Sequence, residues 1–163
     1  MTKNIILIRH AKSDWDNPLL SDHQRILNNR GKRDLPIMAS VLIQSYPKID
    51  YALSSDSART QETINSLKKY GYELPEIHFT KNLYLANIEQ FESEISALHN
   101  SINSIVVCAH NPGISEFTMK LCKLDFLDMP TLATAWIETE IDSWQEIYTA
   151  RGILKKYDYP KKK

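Results

Sequence analysis

Two stretches of this chain, Asn4-Ile5-Ile6-Leu7-Ile8-Arg9 and Ile105-Val106-Val107-Cys108-Ala109, carry unbroken apolar, largely β-branched cores. A strand with one wet face alternates apolar and polar residues, so an unbroken run reads as a strand buried on both faces, inside a parallel sheet with helices on each side. Each run stops at a histidine, in Arg9-His10 and at His110. Ligands of open α/β sheets sit beyond the carboxyl ends of the strands. The two features that fix the fold therefore also point to one functional edge.

The rest of the chain supplies the other layers. Tyr51-Ala52-Leu53-Ser54 and Ile77-His78-Phe79 read as shorter strands, and Ala133 to Ile141 followed by Glu146 to Thr149 as a closing pair. Helical spacing joins Leu35, Met38, Ala39, Leu42 and Ile43, with Pro36 placed in or near a first turn. Ser57 to Leu67 reads as a helix with Ser57 as its N-cap and Gly71 as its stop, and Ile88 to Leu98 and Ile114 to Leu121 complete the series. Alternating strands and helices predict a layered α/β domain. The expected division is one domain over residues 1–154, followed by a basic, flexible tail over 155–163.

Composition narrows the function. The 163 residues carry 20 basic and 20 acidic groups, a balance unlike the basic excess of a nucleic-acid binder. No apolar run approaches the ~20 residues of a membrane span, and the short apolar segment before Arg9-His10 does not resemble a secretory signal. A cytoplasmic protein with two reduced thiols, Cys108 and Cys122, is the expectation. Residues 1 to 60 hold nine basic and six acidic groups, whereas ten carboxylates between residues 82 and 146 face only Lys120 and Lys123. An anionic ligand would bind the first part.

Several phosphate chemistries drop out. The only glycines are Gly31, Gly71, Gly113 and Gly152, too few and too scattered for a P-loop or a dinucleotide fingerprint. A cysteine phosphatase needs an arginine six positions past its nucleophile, where Cys108 has Ile114 and Cys122 has Asp128. Asp14-Trp15-Asp16 begins too far beyond the first strand to serve as an aspartyl nucleophile pair. His10, His23, His78, His99 and His110 show no zinc-site spacing. What remains is Arg9, His10, Arg59 and His110. Arginine forks neutralise and orient the oxygens of a transferring phosphoryl group, and an imidazole can attack phosphorus to form a covalent intermediate.

Leu7-Ile8-Arg9-His10-Ala11-Lys12-Ser13-Asp14-Trp15 resembles the N-terminal signature of the histidine phosphatase superfamily, in its small SixA-like phosphohistidine phosphatase branch. Asp22-His23-Gln24-Arg25-Ile26-Leu27 with Arg30-Gly31, Ser54-Ser55-Asp56-Ser57-Ala58-Arg59-Thr60-Gln61-Glu62-Thr63, and Ala109-His110-Asn111-Pro112-Gly113 follow in the family's order. The resemblance runs from residue 4 to about 120. It implies a phosphoglycerate mutase-like fold, a three-layer α/β/α sandwich with a mostly parallel central sheet. It also implies His10 as nucleophile, Arg9 and Arg59 as phosphate clamps and His110 as a donor to the phosphoryl group. Ser13 and Arg25 are weaker candidates for outer phosphate or substrate contacts.

No carboxylate stands at the places where this superfamily keeps its leaving-group acid. Asn111 follows His110, and Asn82 to Asn87 contains no acid. The nearest is Glu89; Asp14, Asp16 and Asp22 are the other candidates. An alkoxide leaves poorly without a proton, whereas a protonated phosphoimidazole leaves as a neutral ring. The expectation is thus hydrolysis of phosphohistidine on a signalling or phosphotransfer protein, with no metal or organic cofactor. A small-molecule phosphomonoesterase and a noncatalytic phosphoprotein-binding module are the alternatives.

Overall fold

The structure, a computed structural model, describes residues 1–161. Six strands form one sheet in the order β3-β2-β4-β1-β5-β6, with β1 at Thr2–Arg9, β2 at Tyr51–Ser55, β3 at Ile77–Thr80, β4 at Ser104–Ala109, β5 at Thr134–Glu140 and β6 at Gly152–Asp158. β1, β2, β3 and β4 run parallel; β5 is antiparallel to both β1 and β6. Four helices lie in the connections, α1 at Asn29–Ser45, α2 at Ala58–Lys69, α3 at Ile88–Ser96 and α4 at Gly113–Cys122.

The unbroken apolar runs are the middle of this sheet. Alternate residues of a strand point to opposite faces, and Ile5, Leu7, Ile105 and Val107 pack with Phe91, Phe117 and Trp144 in one core. Ile6, Ile8, Val106 and Cys108 pack on the other side with Leu35, Met38, Ile64 and Leu67. Two cores flanking one sheet give the expected three layers. Cys108 and Cys122 are both free thiols.

Three expectations about local structure change. Residues 146 to 149 do not form the closing strand, because Trp144 and Ile147, three residues apart, are both buried and draw Trp144–Tyr148 into a 3-10 turn. The partner of β5 is β6 instead, and it takes in the start of the predicted flexible tail. Lys155 and Lys156 belong to that strand; Lys155 pairs with Glu138 at 3.2 Å and Lys156 with Asp158 at 3.2 Å. Lys162 and Lys163 lie outside the described residues. Finally, α1 starts at Asn29, capped by the Asn28 side chain, which puts Pro36 inside the helix rather than in its first turn.

Two glycines hold the loops near the sheet's functional edge. A Cβ at Gly31 would lie 2.3 Å from the Lys12 carbonyl oxygen, and one at Gly113 would lie 1.7 Å from that of Ala86. Only the missing side chain allows α4 to start against the 84–86 segment. Gly113→Ala is expected to destabilise the protein by about 3 kcal/mol, the upper end for overpacking, measured as a lower urea midpoint. An unchanged midpoint would mean the 84–86 segment yields freely.

Candidate active site

β1 and β4 are neighbours in register, Arg9 beside Ala109. The two histidines that follow therefore leave the sheet together. The His10 amide donates to the Ala109 carbonyl at 3.1 Å, and the rings stand 5.2 Å apart, centroid to centroid. β2, the other neighbour of β4, ends in Ser55; two residues on, the Ser57 side chain caps α2. That short connection delivers Arg59 to the same edge. A cavity of about 290 Å³ opens there, lined by Arg9, His10, Arg59 and His110 together with Ser13, Asp22 and Asn111.

Each imidazole is held in one orientation. His10 Nδ1 lies 2.7 Å from the Ala11 carbonyl oxygen. A carbonyl only accepts, so Nδ1 carries the hydrogen and Nε2 keeps a lone pair. Burial, reinforced by Arg59 and Arg9, pushes the His10 pKa down to about 3, so the ring is neutral. His110 Nε2 meets Ser55 Oγ at 2.8 Å. Among the described residues the Ser55 hydroxyl has no other acceptor, so it donates to Nε2, leaving the hydrogen of His110 on Nδ1. That Nδ1 is buried without a partner, and burial followed by His10 and Arg59 lowers the ring's pKa to about 2. An unsatisfied buried donor beside a cavity is a place for an incoming acceptor.

The cationic groups complete the site. Arg59, 5% exposed, donates from Nε to His10 Nε2 at 3.3 Å and through its two terminal nitrogens to the Asp22 carbonyl at 2.6 Å and Asp22 Oδ2 at 3.0 Å. Arg9 donates to the Met129 carbonyl at 2.9 Å, and its buried Nε has no partner. Burial, the largest influence, lowers the Arg9 pKa, but a guanidinium still stays charged near neutrality. α4 begins just beyond Asn111, so its positive end adds to the same side. The arrangement suits a tetrahedral oxyanion, with a neutral imidazole at its base.

Arg9, His10, Arg59, His110 and Ser13 all line this cavity; Arg25 does not. Its guanidinium sits 3.9 Å above the Trp15 ring, and its Nε lies 3.6 Å from Asp22 Oδ1. Trp15 forms part of the exposed rim. No sequence signal singled out Tyr84, whose hydroxyl donates to Asp22 Oδ2 and whose ring stands edge-on to His110 at 5.5 Å. Nor did one single out Ser55 as the partner of His110. Asp22 was one of several acids in loops; in the fold it is the one carboxylate lining the cavity among the described residues, while Glu89 is exposed on α3. Among those residues there is also no cluster of three or more histidines, cysteines or carboxylates able to hold a metal ion, and no helix long and apolar enough to cross a membrane.

No family model matches the chain. It is 31% identical over 117 residues to an uncharacterized protein of Mycobacterium leprae, covering 70% of each chain. Among solved structures it resembles a protein assigned as phosphohistidine phosphatase SixA from Nakamurella multipartitia, at a TM-score of 0.84 and 19% identity, covering 99% of this chain and 98% of the other. It also resembles the protein histidine phosphatase SixA complexed with tungstate, at a TM-score of 0.80 and 21% identity, covering 96% and 97%. The chain belongs to the same family as the Mycobacterium leprae protein, and its fold is the phosphoglycerate mutase-like fold of the histidine phosphatase superfamily.

Proposed function

We propose that this protein is a phosphatase working through a covalent phospho-His10, with phosphohistidine on another protein as its substrate. The observation that carries this reading is the His10 Nδ1–H hydrogen bond to the Ala11 carbonyl, which leaves Nε2 as a neutral, aimed nucleophile within a site walled by Arg9 and Arg59. In the first step Nε2 bonds to phosphorus as the bond to the leaving nitrogen breaks. Arg9, Arg59 and the unpartnered Nδ1–H of His110 take the charge of the equatorial oxygens.

The choice of substrate rests on the proton inventory. Burial works against the charge on Asp22, but hydrogen bonds from Tyr84 and Arg59 outweigh it and hold this carboxyl below the usual range. Both histidines are neutral as well. The site thus holds no carboxylic acid ready to protonate an alkoxide. A phosphohistidine that enters with its second ring nitrogen protonated needs none, since it departs as neutral imidazole. The exposed rim residues Trp15 and Leu85 suit contact with a protein surface.

Hydrolysis of a phosphohistidine peptide should outpace that of p-nitrophenyl phosphate and sugar phosphates, and His10→Ala should abolish it. Faster turnover of the esters would make a small phosphate ester the substrate, and binding without turnover would make the protein a phosphoprotein-binding module. Arg59→Ala should lower kcat/KM by about 100-fold, in the range of a lost oxyanion donor, with a much smaller change in the urea midpoint. Matching losses would reduce Arg59 to a structural role.

The buried neutral histidines also make stability depend on pH. Their folded pKa values lie below the ordinary 6.5, so below that pH the unfolded chain binds protons that the folded chain does not. The stabilisation is complete above pH 6.5 and declines as pH falls toward 3. Replacing His110 by Asn should flatten this acid slope by about one bound proton. Thermal melts of both proteins from pH 8 to pH 4 would show it; parallel slopes would assign the acid sensitivity to other groups.

A further inference from the structure

Resting on the reading of phosphohistidine as the substrate, we propose that Trp15 is the specificity-determining residue of the site: its indole, seated by Arg25, is the platform on which the departing imidazole ring stacks. The place of that ring follows from the reaction. Attacking and leaving atoms stand roughly in line across phosphorus, and His10, 6% exposed, attacks from the floor of the cavity. The leaving group therefore points to the mouth, where Trp15 stands.

The backbone sets this indole in place. Ser13 pairs antiparallel with Leu27, and the Asp14 amide donates to the Ile26 carbonyl at 2.7 Å. Counted on from that register, Trp15 falls opposite Arg25, the cross-strand position at which side chains meet. The Asp16 amide donates to Asp14 Oδ1 at 2.8 Å and fixes the turn that carries the ring. The Arg25 guanidinium lies 3.9 Å from the ring centroid, with its own Nε 3.6 Å from Asp22 Oδ1. One face of the indole is thus covered, yet Trp15 is 62% exposed, so its other face and its edge are bare. Leu85, also on the cavity lining and 54% exposed, has a backbone φ of 49°, a left-handed conformation that a bulky residue rarely adopts. The chain keeps two large apolar side chains at the mouth, where polar ones would be better solvated.

A flat, electron-rich face selects a flat, electron-poor partner. While it is bonded to phosphorus and protonated on its second nitrogen, the substrate ring is an imidazolium, which gains both stacking and cation–π attraction from an indole. The charge of Arg25 on the opposite face is offset by the Asp22 carboxylate beside it. A sugar leaving group needs hydrogen bonds, which an indole face does not supply. Once the P–N bond breaks, the ring is neutral and the cation–π part of the attraction ends. The platform therefore holds the arriving substrate more firmly than the departing product. An interaction that weakens as the reaction proceeds acts on KM rather than on kcat.

The experiment measures kcat and KM for N-phosphoimidazole and for phosphoramidate, two P–N compounds of which only the first has a ring to leave. Neither carries a protein surface. For Trp15→Ala, kcat/KM for phosphoimidazole should fall about tenfold more than that for phosphoramidate, in the range of one stacked ring, with the difference in KM. Trp15→Phe should recover most of that loss. Arg25→Lys, which keeps the charge beside Asp22 but not the flat stack, should lower the same ratio about threefold. Equal losses on the two compounds would overturn the proposal, because Trp15 would then act on the phosphoryl end of the site. Losses confined to a phosphohistidine protein would overturn it too, since the rim would be reading the protein surface and not the ring. A wild type that hydrolyses sugar phosphates faster than phosphoimidazole, or whose turnover survives His10→Ala, would overturn the reading beneath the proposal, and it shows before any Trp15 variant is compared.

Discussion

Everything at the functional edge depends on the parallel pairing of β1 with β4. Side chains alternate along a strand, so a one-residue slip would turn each apolar residue to the wrong face. Both faces here are packed, with Ile5 and Leu7 in one core and Ile6 and Ile8 in the other. The core therefore fixes the register without ambiguity. That register, Arg9 opposite Ala109, sets His10 and His110 side by side. The spacing of the two histidines is a consequence of hydrophobic packing several residues away.

The same logic explains what could be read from the sequence and what could not. The two apolar runs and the histidines closing them are local signals, and the sheet needs no more than them to bring the histidines together. Arg59 was legible because Ser57 caps α2 in the helix that carries it. The Asp22–Tyr84 contact joins two segments 62 residues apart through side chains in a 3-10 turn and a loop, and no periodicity marks such a meeting. The C-terminal lysines misled for a related reason. Charge reads as solvation in a sequence, yet Lys155 and Lys156 sit on a strand whose Leu154 and Tyr157 pack against the core.

Loop placement rests on backbone contacts rather than on a second core. The Lys12 carbonyl accepts from the Asn28 amide at 3.0 Å, Ser13 bridges to Leu27, and the Leu27 amide donates to Glu62 on α2 at 3.0 Å. These ties bind the segment from Ala11 to Asn28 to α1 and α2. They carry Ser13 and Asp22 to the cavity although neither lies on a strand or an α-helix. A site on rigid elements with one loop folded tightly over it keeps its groups prepositioned, which is the condition for electrostatic catalysis.

Desolvation gives that preorganisation its effect. Arg9 and Arg59 are held beside two imidazoles whose charged forms the burial suppresses, so the positive charge of the pocket floor stays on groups that cannot lose their protons. On the proposed mechanism, an arriving phosphoryl group changes that balance. Its negative charge opposes the influences that lower the pKa of His110, and it offers an acceptor to the Nδ1–H that lacks a protein partner. The interaction is reciprocal: whatever the oxyanion adds to the proton affinity of His110, the protonated ring adds to the binding of the oxyanion. Charge develops during transfer, so this coupling strengthens toward the transition state. On the proposed mechanism His110, already a donor through Nδ1–H while neutral, gains proton affinity as the reaction proceeds.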